Sequence, residues 1–338
     1  MKIGMIFPGQ GAQHMTMGKE MYDRERLVQE FFEEASNCLD QNFVRLCFAS
    51  SEKELRETVN AQTSIFLVSA ALYAVLHQKY NITPDIVAGH SSGEYAAMYS
   101  AGGMTFVDAL YLLKKRSSFM EDATRTVPGS MMAVVGVSFE ELESICRRYD
   151  DPTGNDRVVE AVNYNAPDQV VISGTLPELE AVASDVRTLK GKIVPLSVAG
   201  AFHSRLMAEA EKLFSHYLVK VDFKDLTIPL VNNLEARIIS KGADVKASLA
   251  RQMSSHVLWW PSMQQFKECD LIIEVGPGNR LSKMLKRQWP EKNIVPFNCQ
   301  QDLEAIVRIL DKEVIAHSSA TDDEQTDQIQ EKDATEGS

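Results

Sequence analysis

Residues 85–97 read Asp-Ile-Val-Ala-Gly-His-Ser-Ser-Gly-Glu-Tyr-Ala-Ala. The apolar run at the start is typical of a β-strand, and the stretch from Glu94 onward predicts a helix. The Gly-x-Ser-x-Gly turn between them matches a nucleophile elbow, whose glycines allow a sharp bend that exposes a serine hydroxyl. N–H groups at the helix start favour a nearby oxyanion. This segment therefore predicts an α/β sheet with Ser91 as a candidate nucleophile.

On either side of this segment, short apolar runs alternate with helical patterns, which predicts a mainly parallel sheet covered by helices. Ser64 to Tyr80 is apolar nearly all round, as expected of a helix buried against a sheet. Thr105 and Asp108 form a capping-box start, which places Arg116 inside a helix. The strands of the sheet are predicted at residues 2–7, 85–89, 228–231, 271–275 and 294–297.

The middle of the chain has a different order of elements. Residues 131–198 carry a β-α-β-β-α-β pattern, which is ferredoxin-like. The sequence therefore predicts a small ferredoxin-like subdomain at residues 128–198, inserted in a large α/β-hydrolase-like subdomain formed by residues 1–127 and 199–315. Residues 316–338 are predicted to be an acidic, disordered tail, because they hold few apolar residues to offset the entropy of ordering.

The net charge of −12 is unevenly distributed along the chain. From residue 317 to the end, seven acidic residues face one lysine, so this stretch supplies −6 of the −12. The remaining body is mildly acidic, which argues against non-specific nucleic-acid binding. We expect no nucleic-acid partner.

The five cysteines are scattered and form neither a CxxC motif nor a Cys/His cluster, so no disulfide framework and no metal site are predicted. No run approaches the roughly 18 apolar residues of a membrane span, and the N-terminus reads as a strand rather than a signal peptide. We therefore expect a cytoplasmic protein with no membrane partner.

A serine nucleophile needs a base. Of the seven histidines, His203 is the best candidate, because it lies in a loop that follows a predicted strand and leads into a predicted helix. His90 adjoins Ser91, but a chain neighbour usually points elsewhere, so we expect a structural role for it. No catalytic role is expected for the others, His14, His77, His216, His256 and His317.

Two turns follow predicted strands. Residues 7–13, Phe-Pro-Gly-Gln-Gly-Ala-Gln, are either a plain Gly-Pro turn or a rigid loop that places a donor, Gln10 or a backbone N–H, beside the serine. Dinucleotide binding fits poorly, because the spacing is not G-x-G-x-x-G. Residues 274–278, Glu-Val-Gly-Pro-Gly, end another strand, and a strand-terminal turn explains them.

Together these pieces resemble the malonyl-CoA:acyl-carrier-protein transacylase family, which includes the acyltransferases of fatty-acid and polyketide synthases. The matching segments fall in family order and cover everything but the tail: residues 7–13, 61–63, 89–95, Arg116, 162–174, 200–204 and 274–278. The resemblance implies a transferase that moves a malonyl group from malonyl-CoA to the phosphopantetheine thiol of an acyl carrier protein, through an ester on Ser91.

The resemblance also implies residue roles. Ser91 is the expected nucleophile and His203 its base, with an oxyanion hole from the backbone N–H groups of Gln10 and Ser92. In this family the third member of the catalytic triad, beside the serine and the histidine, is a main-chain carbonyl rather than an aspartate. We expect this carbonyl within residues 259–261, Trp-Trp-Pro. Arg116 matches the arginine that grips the malonyl carboxylate, a task suited to a guanidinium fork.

The other matched positions concern the acyl pocket. Gln62 and Asn163 match polar pocket positions. Phe202 matches the residue found in malonyl-selective members. A bulky ring at this position would crowd the α-methyl group of a methylmalonyl substrate. Ser92 and Gly200 depart from residues common in the family at these positions, so the acyl group is less firmly specified than the reaction.

We expect no bound cofactor, coenzyme A thioester and carrier protein as partners, and a monomer. Carrier proteins are acidic, so docking needs a basic patch. The predicted patch consists of Lys114, Lys115, Arg147, Arg148, Arg187, Lys190 and Lys192.

Three other functions remain open at this stage. An acyl hydrolase of the same fold would clear carrier proteins, but it gains nothing from a carboxylate clamp at Arg116. An unrelated α/β-hydrolase esterase requires an acid between Ser91 and His203, where no good candidate occurs. A catalytically silent scaffold would not need Ser91, His203 and Arg116 together.

Overall fold

The computed structural model describes residues 1–311, so the predicted acidic tail at residues 316–338 lies outside the described residues. The strands are β1 (Ile3–Phe7), β2 (Ile86–Gly89), β3 (Ser130–Val135), β4 (Val159–Ala166), β5 (Gln169–Gly174), β6 (Lys192–Pro195), β7 (Leu230–Val231), β8 (Ile238–Ile239), β9 (Leu271–Val275) and β10 (Asn293–Phe297). The α-helices are α1 (Lys19–Arg24), α2 (Arg26–Leu39), α3 (Phe43–Ala49), α4 (Glu52–Arg56), α5 (Thr58–Ala74), α6 (Glu94–Ser100), α7 (Phe106–Thr126), α8 (Phe139–Tyr149), α9 (Leu176–Thr188), α10 (Ala208–Leu218), α11 (Gly242–Leu249), α12 (Trp259–Met263) and α13 (Arg280–Gln288). Residues 300–311 are also helical.

The large sheet has the strand order β10-β9-β1-β2-β7-β8 and is parallel except at β8. Alternate residues of β1 enter different cores: Met5 and Phe7 pack on one side of the sheet and Ile6 on the other. A parallel sheet buried on both faces accounts for the continuous apolar strands in the sequence. All five predicted strands are present, within two residues of the predicted bounds. The two-residue strand β8 was not predicted.

The second sheet has the order β4-β5-β3-β6 and is antiparallel throughout. Its strands and the helices α8 and α9 follow the predicted β-α-β-β-α-β order, and they share a separate apolar core. The predicted fold class is confirmed: a mainly parallel α/β sheet is joined to a ferredoxin-like sheet. We refer to the two parts by their sheets, as the large unit and the small unit.

The helix α5 continues directly into a π-helical segment, Val75–Lys79. The stretch Thr58–Lys79 is long and apolar enough to cross a membrane by length and composition, so the expectation that no segment approaches a span was wrong. However, 89% of its most apolar window is buried inside the protein. All residues of α5 except Val59 and Asn60 are buried, which is typical of a helix in a protein core.

The loops after β1 and β2 leave the sheet side by side, because Phe7 pairs with Gly89 in the register of these parallel strands. The two loops approach each other so closely that only glycine fits between them. A Cβ on Gly9 would lie 2.2 Å from the carbonyl oxygen of His90, and one on Gly93 would lie 2.3 Å from the carbonyl oxygen of Phe7. This contact fixes residues 7–13 against the Ser91 turn.

We therefore expect Gly93→Ala to lower the free energy of unfolding by about 1–3 kcal/mol, the usual cost of overpacking. The helical φ of −63° at Gly93 suits alanine, so the cost comes from the clash alone. Gly154→Ala is the control, because its Cβ would meet nothing closer than 3.4 Å. Urea titration of both variants tests this, and equal stabilities would contradict the contact.

Candidate functional site

Ser91 lies two residues beyond β2 and has a backbone in the left-handed region, with a φ of 53°. Such a conformation is strained for a residue with a side chain and is held only by its surroundings. Here Asn233 supplies the support: its Oδ1 accepts the N–H of Ser91 at 2.7 Å, and its Nδ2 donates to the carbonyl of Gly89 at 2.7 Å. Nothing in the sequence had pointed to Asn233.

The side chains of Ser91 and His203 are in direct contact, with Oγ and Nε2 2.7 Å apart. His203 Nδ1 lies 3.1 Å from the carbonyl oxygens of both Gln252 and Ser255. Two acceptors at Nδ1 require the proton on that nitrogen, which leaves Nε2 as the acceptor for the serine hydroxyl. The ring is therefore in the tautomer that a general base needs.

The carbonyl partner of His203 was predicted in the wrong place. Residues 259–261 begin the helix α12, and Trp259 packs its ring against His90 at a centroid distance of 5.3 Å. The accepting carbonyls come from Gln252 and Ser255 instead. A backbone carbonyl can be supplied by any residue type, so the sequence carries no signal for its position.

The electrostatic surroundings keep His203 neutral. Burial lowers its pKa to about 3, and the positive charge of Arg116 adds to this shift. Burial lowers this pKa because His203 is only 3% exposed and an imidazolium ion is poorly solvated there. At neutral pH the ring can therefore accept a proton.

Arg116 lies on α7, as the capping-box start at Thr105 predicted, and its side chain is fully buried. Its Nη2 donates to Gln252 Oε1 at 3.0 Å and lies 3.3 Å from Ser91 Oγ, and its Nη1 donates to Gln62 Oε1 at 2.7 Å. Nε has no partner. Every polar partner of this guanidinium in residues 1–311 is uncharged, so a positive charge lies buried without its usual carboxylate.

Gln252 connects the groups around the nucleophile. Its main-chain oxygen accepts from His203, its Oε1 accepts from Arg116, and its Nε2 donates to the carbonyl of Ser91 and to Glu94. Glu94 is 1% exposed, and burial raises its pKa to about 8. At neutral pH this carboxyl is therefore mostly protonated. Neither residue was identified from the sequence.

Gln10 and Ser92 lie where the two loops meet. The Oε1 of Gln10 accepts from Gln62 Nε2 at 3.0 Å, so Arg116, Gln62 and Gln10 form a continuous hydrogen-bonded chain. Ser92 directly follows the nucleophile and is 3% exposed. Gln10 and Ser92 therefore belong to the two loops that the glycine contact holds together.

Phe202 and Asn163 lie beside this centre. Phe202 is 4% exposed and precedes His203, which has a φ of 65°. Asn163 is 7% exposed on β4, and its Oδ1 is buried without a hydrogen-bond partner. A Cβ at residue 200 would lie 2.2 Å from Thr124 Cγ2, which explains glycine there in this chain.

A cleft runs between the two units, with two adjoining cavities of about 250 and 300 Å³. Both are lined by Gln10, His90, Asn165, Gln169 and Arg280. Asn163 lines the second cavity, and three cations of α13 line the first: Arg280, Lys283 and Arg287. Within residues 1–311, no three His, Cys, Asp or Glu side chains are grouped to hold a metal ion.

His90 has the structural contact that was expected of it. Its Nε2 lies 2.8 Å from Asn165 Oδ1, so it joins the Ser91 turn to β4. Burial lowers its pKa to about 4.

Comparisons with known proteins find relatives in both sequence and structure. A family model described as acyl transferase domain matches residues 5–317. The malonyl CoA-acyl carrier protein transacylase of Bacillus subtilis (strain 168) is 34% identical over 316 residues, which are 92% of this chain and 98% of that protein. The crystal structure of the transacylase of the same name from Clostridium perfringens superposes with a TM-score of 0.87 and 30% identity, over 94% of this chain and all of that one. A malonyl-transacylase solved in complex with a type II PKS acyl-carrier protein gives a TM-score of 0.85 at 28% identity, over 90% of this chain and 98% of that one.

The buried Glu94 predicts how stability depends on pH. Its pKa rises from 4.5 in the unfolded chain to about 8 in the fold, so the folded state binds more protons between these values. Stability therefore falls as pH rises through this window. We expect Glu94→Gln to be more stable than wild type at pH 9 by more than about 1 kcal/mol, with little difference at pH 5.

Denaturant unfolding at the two pH values measures this difference. Glu52→Gln is the control, since that carboxyl is exposed. A stability difference that is the same at both pH values would show that Glu94 does not titrate as described.

Proposed function

This chain belongs to the acyl transferase domain family, and we propose that it moves a malonyl group from malonyl-CoA to the phosphopantetheine thiol of an acyl carrier protein. The observation that carries the proposal is the buried guanidinium of Arg116, which lies 3.3 Å from the Ser91 hydroxyl and has only uncharged partners among the described residues. A buried cation beside a nucleophile suits an acyl group that ends in a carboxylate. The relatives named as malonyl transacylases support the same substrate.

The proposed reaction has two half-reactions. Ser91 Oγ attacks the thioester carbonyl while His203 Nε2 takes its proton, and the oxyanion is held by the N–H groups of Gln10 and Ser92. The C–S bond breaks, and coenzyme A leaves as a thiol with the proton from His203. The carrier thiol then gives its proton to His203 and attacks the Ser91 ester. The ester bond breaks, and the serine recovers the proton.

Arg116 links substrate choice to the strength of the base. Its charge is one of the causes that lower the pKa of His203. A malonyl carboxylate bound to Arg116 cancels that charge, which raises the pKa of His203 and makes it a better proton acceptor. An acetyl group leaves the charge in place. The carboxylate therefore contributes to proton transfer as well as to binding.

The alternative functions fit less well. A hydrolase for varied acyl chains gains nothing from a buried carboxylate clamp. An α/β-hydrolase esterase pairs its histidine with an acid, whereas His203 has the carbonyls of Gln252 and Ser255. The intact contact between Ser91 and His203 argues against a silent scaffold.

We place the docking surface for coenzyme A phosphates and the acidic carrier on α13. Arg280, Lys283 and Arg287 line the cleft together with His90, the neighbour of Ser91 in the chain. The patch predicted from the sequence is less suitable, because Arg147 pairs with Glu143 and Arg148 pairs with Asp185. Cations already paired with carboxylates attract an acidic partner less strongly.

We further propose a monomeric, cytoplasmic enzyme. A malonyl thioester on a carrier protein is the extender unit for both fatty-acid and polyketide synthesis, and either pathway suits this reaction.

The first experiment measures the intact mass of the protein after brief incubation with malonyl-, methylmalonyl- or acetyl-CoA, followed by carrier protein. We expect a malonyl adduct that is absent in Ser91→Ala and moves to the carrier. Arg116→Ala should lower malonyl loading by about a hundredfold, since removing one partner of a buried charge pair costs about 2–5 kcal/mol. Acetyl loading should not fall.

Lys115→Ala is the matched control, because Lys115 is the next residue on α7 but lies over the Tyr217 ring. Equal losses of malonyl and acetyl loading in Arg116→Ala would contradict the carboxylate clamp. An adduct lost to water at the same rate with or without carrier would favour the hydrolase.

The proposed docking surface on α13 predicts that reversing its charges weakens carrier-protein binding in a salt-dependent way. The double variant Lys283→Glu, Arg287→Glu should raise the KM for carrier protein at low salt by about tenfold, and less so near 1 M salt, where the Debye length is about 3 Å. Arg147→Glu, Arg148→Glu makes the same charge change on α8 and should have a smaller effect. A larger effect on α8 would return the docking surface to the patch predicted from the sequence.

A further inference from the structure

Arg205 follows His203 by two residues and reaches across to the small unit. Its Nη1 lies 2.5 Å from Glu160 Oε1 and 2.9 Å from Asp150 Oδ1. Its other guanidinium nitrogens donate to main-chain carbonyls, those of Gly154 at 3.1 Å, Asp151 at 2.5 Å and Arg157 at 3.3 Å. The main-chain N–H of Arg205 donates to Glu160 Oε2 at 3.2 Å. Every one of these partners lies between residues 150 and 160, at the entry to β4.

The catalytic histidine itself is held by different contacts. The N–H of His203 donates to the carbonyl of Met253 at 3.0 Å, and its ring is held by the carbonyls of Gln252 and Ser255. The hydroxyl of Ser204 donates to the carbonyl of Ala201. Since these partners all belong to the large unit, Arg205 is not needed to orient the ring. Arg205 instead holds the start of β4 in the small unit.

The strand β4 meets the large unit again further along. Val257 exchanges main-chain hydrogen bonds with it, donating to the carbonyl of Val162 at 2.8 Å and accepting from the N–H of Tyr164 at 3.0 Å. His90 then contacts Asn165. Thus Arg205 holds the start of β4, while Val257 and His90 hold its second half. Asn163 and Asn165, which line the cleft, lie in that second half.

We propose that Arg205 is a positioning residue that clamps β4 and so sets the cleft wall that receives the pantetheine arm of both thioester substrates. The inference rests on the proposed malonyl transfer, because coenzyme A and the carrier protein share that arm. Five N–H donors in a rigid fork satisfy two carboxylates and three carbonyls at once. A lysine ammonium has three donors on a flexible stem and cannot hold the same set.

The variant Arg205→Lys tests the clamp while keeping a cation between Asp150 and Glu160. We expect the KM for malonyl-CoA and for carrier protein to rise together by about three- to tenfold, the effect of losing several hydrogen bonds. The kcat should stay within about twofold, because the contacts of His203 are intact. Labelling of Ser91 by a small fluorophosphonate, which has no pantetheine arm, should proceed at the wild-type rate.

Hydrogen exchange on the free protein measures the clamp without any substrate. Peptides that cover residues 158–166 should exchange faster in Arg205→Lys than in wild type, because β4 opens more often. Arg45→Lys is the matched control, since it makes the same change in an ion pair with Glu54 that lies inside the large unit, away from the cleft. It should leave both KM values unchanged.

Three results would overturn the proposal: unchanged exchange in residues 158–166, faster exchange with both KM values unchanged, or a fall in kcat with slower fluorophosphonate labelling. The last of these would assign Arg205 to the support of His203. If wild type forms no malonyl adduct, the proposed function fails, while the exchange experiment still decides whether Arg205 clamps β4.

Discussion

The guanidinium of Arg116 is fully buried in the large unit beside Ser91. The groups around Ser91 are arranged to accommodate its charge. A buried cation with only neutral partners costs several kcal/mol, which the surrounding fold must supply. Gln62 and Gln252 satisfy part of its hydrogen bonding without neutralising it. Glu94, the nearest buried acid in this network, has its pKa raised by burial and so stays largely uncharged. The charge thus remains available for a ligand.

The same centre also contains strained backbone. Ser91 and His203 both have positive φ values, of 53° and 65°, and neither is glycine. Each is held by hydrogen bonds to neighbouring main chain or to Asn233. Strain of this kind costs on the order of 1–3 kcal/mol per residue and persists only in a rigid frame. The parallel sheet with its two apolar cores provides that frame, and the glycine contact at residues 9 and 93 holds the loop after β1 against the Ser91 turn.

The sequence predicted the parts of this protein that depend on local pattern. Strand positions follow from apolar runs, the turn at Ser91 from its glycines, and the helix around Arg116 from its cap. The pocket roles of Gln62 and Asn163 came only from the resemblance to a family. Gln252, Ser255 and Asn233 were missed because their tasks use a main-chain carbonyl or a contact across more than a hundred residues. The misplaced carbonyl at residues 259–261 has the same cause: any residue type can supply a carbonyl, so only the path of the chain decides which one faces His203.

The residues around Ser91 and the cleft wall at β4 belong to different units, although the small unit is inserted between Ser91 and His203 in the chain. Ser91, His203, Arg116 and their polar supports all belong to the large unit, so in the proposed reaction this centre can stay rigid while a long thioester arm enters and leaves. The small unit contributes β4, which meets the Ser91 turn through His90 and Asn165. An enzyme that exchanges one thiol for another through the same acyl-serine must admit two different partners to one place. In the proposed reaction, the charge of Arg116 selects the acyl group, and the wall formed by β4 accepts the arm that both partners share. On this proposal, specificity for the acyl group and tolerance of its carrier reside in different parts of the fold.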